Sequence, residues 1–278
     1  MLKDQQAANS SSLQGAARKV AKSLERMGYD AISVGNLDLA AKYHNSDSSA
    51  KQRAPFISAN AVDKNGERPF LPYTTVDAGS YKIGITSITA ATKGKSEYKT
   101  ISWEKGLKET LPQMKKSCDF IIVLSNLPTR DNRTIANNYP EINVIISADD
   151  KIANLSASLI GSTLITQTGT LGQYIGVLDL ELAPNKKWKK GYYTINSLKR
   201  KQHSILRKIN KLKNDKSGGD NTVRIAELKK LHSEVPMKIS QAEKNLVNQT
   251  GSSFAVEFVP VETTIEKDPA IESILRTL

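Results

Sequence analysis

The chain has 278 residues, 38% of them apolar, with a mean hydropathy of −0.41, which suits one large α/β domain or one domain with an appendage. No apolar run approaches the roughly 20 residues a membrane-spanning helix needs, and the single Cys118 excludes an internal disulfide and a thiolate metal site. The formal charge of +12 is concentrated: residues 186–216 hold twelve Lys/Arg against Asp215 alone, a local excess of +11, and the rest is close to neutral.

Residues 1–12 are polar and serine-rich, with no apolar h-region, so no signal peptide is expected in this chain. Leu13, Ala17, Val20, Leu24 and Met27 then recur at three- and four-residue spacing and predict an amphipathic helix. The apolar run 31–34 predicts a buried strand that ends in the small polar corner Gly35-Asn36. In open α/β sheets the loops at the carboxyl ends of strands carry the chemistry, so this corner is the first candidate site. Residues 40–53 read as loop or weak helix. Residues 55–60 form a second short strand ending in Asn60, and 63–66 a turn. Residues 73–76 and 81–86 alternate around 77–80 as a β-hairpin does.

Residues 103–114 suit a helix, and Cys118 lies just before the next strand as a core-edge residue. The runs 119–124 and 143–146 are continuously apolar and predict strands covered on both faces, with Val34, Ile122, Val123, Val144 and Ile145 buried. The first ends at Ser125-Asn126-Leu127. Residues 132–139 follow as a short helix. The second strand ends at Ser147-Ala148-Asp149-Asp150, where Asp149-Asp150 read as the N-cap of a helix over 152–155. Residues 163–167 and 174–182 are further strands.

From Thr194 the character changes. Leu198, Ile205, Ile209 and Leu212 keep heptad-like spacing, residues 217–220 form a turn, and Ile225, Leu228, Leu231, Val235, Ile239 and Leu246 continue the stripe. This predicts a helical hairpin with a narrow apolar seam, kinked at Pro236. Residues 254–259 are a strand returning to the sheet, and Asp268-Pro269 opens a final helix. The organisation expected is a main domain over 1–193, a basic helical hairpin over 194–250, and a returning strand and terminal helix over 251–278.

Three corners in this order, each after its strand, resemble the calcineurin-like metallophosphoesterases and within them the 5′-nucleotidase branch. The residues that carry the resemblance are Gly28-Tyr29-Asp30-Ala31, Gly35-Asn36-Leu37-Asp38, Ser58-Ala59-Asn60, Ser125-Asn126-Leu127 and Ser147-Ala148-Asp149-Asp150. The resemblance covers residues 13–182 and 254–278. It implies an α/β protein, a four-layer α/β/β/α sandwich with the helical hairpin appended, and a periplasmic or cell-surface location. It also implies two divalent metals that activate a water and clamp a phosphate.

Set against that family the site residues depart from the pattern. The Asp-Xaa-His strand is absent. Leu37 stands where the family has its leaving-group histidine, beside Asn36 and the acidic remnant Asp38. Asn126 and Asp149 stand where metal-ligating histidines are found, and Lys151 would repel a cation. The metal positions left are Asn36, Asn126 and Asp149, an oxygen-poor half-site. His44, His203 and His232 lie away from every corner. The function expected is therefore a degenerate nucleotidase-type domain, catalytically silent, without a cofactor, serving as a binding or scaffolding module. One alternative is an active phosphoesterase using Mn, Zn or Mg whose missing ligands lie upstream of residue 1. Another makes the basic hairpin the working part, with Lys199, Arg200, Lys201, Arg207, Lys208 and Lys211 gripping an acidic protein or an anionic surface. Nucleic-acid binding is not expected, since no aromatics interleave with the charges.

Overall fold

The computed structural model describes residues 11–41, 56–91, 97–152, 155–169, 171–185, 187–214, 221–246, 250–262 and 264–276. The expected loop over 42–53, with His44, and the turn at 217–220 lie outside them. In chain order the elements are α1 (Ser11–Arg26), β1 (Ile32–Ser33), α2 (Asn36–Ala41), β2 (Phe56–Ile57), β3 (Ala61–Val62), β4 (Tyr73–Ala78) and β5 (Tyr81–Ile88). Next come β6 (Lys99–Thr100), α3 (Trp103–Ser117), β7 (Phe120–Ser125), α4 (Thr129–Asn138), β8 (Val144–Ser147), β9 (Leu155–Ile160) and β10 (Thr163–Gln167). The chain closes with β11 (Tyr174–Glu181), α5 (Lys190–Lys213), α6 (Thr222–Leu246), β12 (Ser253–Pro260) and α7 (Pro269–Arg276). Two compact units result: Met1–Ser156 with Ile160–Gly176 and Phe258–Leu278, and Ala157–Leu159 with Val177–Glu257.

The first unit is built on a mixed sheet in the order β4-β5-β7-β8-β10-β9. β4 runs antiparallel to β5, while β5, β7, β8 and β10 are parallel neighbours. The β4–β5 hairpin turns on Gly79-Ser80, since Ala78 pairs Tyr81. Gly79 has φ +63° and open space around it, so it is there for its backbone and not for lack of room.

Crossovers β5–α3–β7 and β7–α4–β8 step the same way across the sheet, so right-handedness puts both helices on one face. Leu107, Leu111 and Met114 of α3, spaced to share one stripe, and Ile135 and Ala136 of α4 close over Ile121, Val123, Ile145 and Ile165. Each large side chain so buried stabilises by about 1.5–3 kcal/mol. The same handedness corrects one expectation. Val34, Val123, Val144 and Ile145 are buried, but Ile122 and Leu124 are half-buried and Ile146 is 39% exposed. The opposite sheet face receives neither helix.

Two other expectations change. Residues 149–152 make a single turn, and Leu155, expected in the helix, is the first residue of β9; residues 153 and 154 lie outside the described residues. β12 pairs with β11 in a two-stranded ribbon rather than entering the six-stranded sheet. At the end of the first unit, α7 starts as its sequence dictates. Pro269 occupies the first helical position, and Asp268 Oδ1 accepts the N–H groups of Ala270 (2.8 Å) and Ile271 (3.1 Å).

In the second unit α5 and α6 pack on each other and are joined by eight residues, which makes them antiparallel. Ile205, Ile209 and Val235 are the buried seam, flanked by Leu198, Ile225, Leu228 and Ile239. Leu231 is 44% exposed and lies outside the seam, because it falls about 75° round the helix from the centre of the other contacts. α6 continues through Pro236. Trp188 and Phe254 stack edge to face with centroids 5.5 Å apart and give this unit a second apolar contact.

Candidate functional site

The carboxyl ends of β1, β2, β7 and β8 carry the corners the sequence singles out. The first corner is a helix start. Gly35 N donates to Asp38 Oδ2 at 2.8 Å, and Leu39 N donates to Gly35 O at 3.1 Å as the first intrahelical bond of α2. Asp38 is thus the third helical residue reaching back to the N-cap, one half of a capping box. Burial pushes its carboxyl above the ordinary range, against the lowering effect of the Gly35 N–H. At Gly35 a Cβ would lie 3.1 Å from Asp38 Oδ2, close enough that this carboxylate would have to give by a few tenths of an ångström, and in ordinary contact with Asn126 Nδ2 at 3.8 Å.

Asn36 and Asn126 meet, 90 residues apart in sequence. Asn126 Oδ1 accepts the Ala90 N–H at 2.6 Å, and Asn126 Nδ2 donates to Asn36 Oδ1 at 3.2 Å. The backbone N–H can only donate, so it fixes which way the Asn126 amide faces. One asparagine therefore ties the loop after β5 to the start of α2.

Asp149 sits one strand further on, at the end of β8, and its carboxylate points elsewhere. Oδ2 accepts from Thr129 N (2.7 Å) and Thr129 Oγ1 (2.9 Å), and Oδ1 from Lys151 N (3.1 Å). Thr129 is the first residue of α4, whose own N-cap, Pro128, has no side chain to give. Asp149 is thus a helix cap, but of the preceding helix reached through space. Burial pushes its carboxyl up; the N–H groups of Thr129 and Lys151, the Thr129 hydroxyl and the Lys151 charge outweigh this and hold it below 3.8. Gln167 of β10 pins the same loop: its Oε1 accepts Asp149 N, and its Nε2 donates to the carbonyls of Asp149 (2.8 Å) and Ile152 (2.8 Å).

Beneath the corners lies a polar network that sequence reasoning did not assign. Asn60 Oδ1 accepts Thr89 N (2.8 Å), and its Nδ2 donates to Thr89 O (2.8 Å) and Ile101 O (3.1 Å). Ser58 Oγ and Thr89 Oγ1 are 2.9 Å apart, Thr89 Oγ1 donates to Val34 O at 2.6 Å, and the Ser33 and Ser87 hydroxyls touch. Asn132 satisfies itself against Ser125, Leu127 and Ser147. The signal was a string of Ser, Thr and Asn at the ends of apolar strands, where an unpaired polar group would cost about 1–3 kcal/mol.

Tested against a two-metal centre, these residues do not fit. Among the described residues no three His, Cys, Asp or Glu side chains cluster as ligands. Asn36 Oδ1, Asn126 Oδ1 and both Asp149 oxygens are already acceptors. His203 and His232 lie in α5 and α6 of the other unit. The side chain of Leu37 is outside the description.

No family model matches the chain. In sequence it is similar to the uncharacterized metallophosphoesterase YunD of Bacillus subtilis (strain 168), at 25% identity over 166 residues. That match takes in 56% of this chain and 36% of YunD, so the chain spans about a third of the length of this relative. In structure it is similar to the sulfate thiohydrolase SoxB of Thermus thermophilus, with a TM-score of 0.53 and 18% identity over 60% of this chain and 32% of that one. It is likewise similar to a 5′-nucleotidase precursor, also of Thermus thermophilus, with a TM-score of 0.50 and 17% identity over 62% and 39% of the two chains.

Proposed function

We propose that this chain, which has the fold of the calcineurin-like metallophosphoesterases of 5′-nucleotidase type, works as a non-hydrolytic binding or scaffolding module. The observation that carries the reading is the Asn126 amide bridging Ala90 N–H and Asn36 Oδ1. A hydrolytic site needs oxygens and ring nitrogens free to hold cations and a group able to protonate a leaving oxygen. Here the surviving oxygens at Asn36, Asn126 and Asp149 serve the backbone and one another, and Asp38 closes a helix start. Lys151 adds a positive charge next to Asp149. In this reading the chain needs no resident metal, and hydrogen bonds between strand ends do the job of tying the corners together. We place the protein in the periplasm or at the cell surface, as the family resemblance implies.

The test is metal content and turnover of the full chain after incubation with Mn²⁺ or Zn²⁺. The expected result is sub-stoichiometric metal after gel filtration and no hydrolysis of a nucleoside monophosphate or of p-nitrophenyl phosphate. Two retained equivalents together with turnover would overturn the reading and make the chain a metal-dependent phosphoesterase.

A further inference from the structure

We propose that α5 is a membrane-surface helix: one of its faces binds anionic phospholipid headgroups by charge alone. The inference is independent of whether the corner site hydrolyses anything. α5 carries eight Lys/Arg and no Asp or Glu over its 24 residues. Its partner α6 has the ordinary mixture, with Glu227, Glu234 and Glu243 among its basic residues and a Glu234–Lys238 ion pair one turn apart. Both helices are packed by the same seam, so packing does not explain the difference. Within α5, Arg207 and Lys211 are like charges at i,i+4, a spacing that weakens a helix. Such a helix gains when something negative covers it.

The geometry selects the partner. Lys201, Arg207, Lys208 and Lys211 are exposed, while Ile205 and Ile209 turn into the seam. At 100° and 1.5 Å per residue these four lie within a sector of about 120° and about 15 Å of helix length. A flat anionic plane meets all four at once. Among the described side chains of α5 the exposed apolar one, Leu206, falls about 160° from the centre of that sector, so between Lys201 and Lys211 the face offers charge and no apolar side chain to insert into hydrocarbon or to fill a protein pocket. Asn210 and His203 also lie off the sector's centre, and no aromatic residue stands among the four to stack on a base. A smooth phosphate-bearing surface asks only for charge, and juxtamembrane basic residues supply that.

The experiment is co-sedimentation of the full chain with vesicles of phosphatidylglycerol in phosphatidylcholine, against pure phosphatidylcholine, at low and high salt. Binding is expected on the anionic vesicles only, and is expected to vanish at high salt. Substituting K201Q, R207Q, K208Q and K211Q together keeps good helix formers and is checked by unchanged far-UV circular dichroism. At about fivefold per neutralised charge, it should weaken binding by a few hundred-fold. Four Gln substitutions at Arg224, Lys229, Lys230 and Lys244 of α6 should weaken it much less. Equal binding to neutral vesicles, salt-insensitive binding, or equal losses from the α5 and α6 sets would overturn the proposal. So would tighter binding to duplex DNA or poly-glutamate than to anionic vesicles at matched charge, which would reassign the face to a nucleic acid or an acidic protein.

Discussion

The strand-end corners of the first unit and helix α5 of the second handle polar groups in opposite ways. At the corners, Ser58, Asn60, Thr89, Asn132 and Asp149 are buried and each is hydrogen-bonded, mostly to backbone. On α5 the polar groups are charged, exposed and of one sign. Buried polar groups hold a fold because leaving any one unpaired is expensive. Exposed like charges slightly weaken the helix that bears them and leave a field that can act on a partner. The difference is that a charge-poor, fully bonded cluster in a site position is used up in holding the fold, whereas an uncompensated exposed one is left free to act on a partner.

The comparison breaks most sharply in denaturation. Ile145→Ala, at the centre of the main sheet, should cost about 2–5 kcal/mol, and Val235→Ala, in the helical seam, about 1.5–3 kcal/mol. Urea titrations that follow each unit separately would check this; equal small losses would deny the main sheet its role as the principal core. Asn126→Ala leaves the Ala90 N–H and Asn36 Oδ1 without their partner and should cost about 1–3 kcal/mol. Lys208→Ala on α5 should be near neutral. A thermally unaffected Asn126→Ala variant would show that the corner is not a latch.

Acid sharpens the contrast next. Asp149 is held below its ordinary value of 3.8, so the unfolded chain binds more protons there than the folded one. Its contribution is fully present above 3.8 and is lost as pH falls through the lower folded value. Asp149→Asn should flatten that part of the stability profile. A variant whose acid limb still matches the parent would remove Asp149 from the account. A modest loss is expected at an exposed cap: Asp268→Ala should cost about 1 kcal/mol by freeing the first N–H groups of α7, read as a small drop in Tm.

Much of this was legible in the sequence because its causes are local. Apolar runs marked β7 and β8, alternation on either side of 77–80 marked the hairpin, Asp268-Pro269 marked the start of α7, and heptad-spaced Leu and Ile marked the α5–α6 seam. Corner order alone carried the resemblance to the metallophosphoesterases. The family resemblance led to the expectation that Asn36, Asn126 and Asp149 converge at their strand ends, and Asn36 and Asn126 do meet. What local spacing could not show is how each of these side chains is used. Asp149 looks like the cap of the residues after it, yet caps α4, because β8 places it next to Thr129 and no local periodicity records that. Ile122 and Ile145 have the same apolar character, but only handedness of the crossovers decides which of them the helices bury. β12 joined β11 and not the main sheet, since strand pairing is set by backbone partners that a one-dimensional pattern does not name. Side-chain chemistry and local spacing determined the elements, and the burial of hydrogen-bonding groups in three dimensions determined what the site residues are doing.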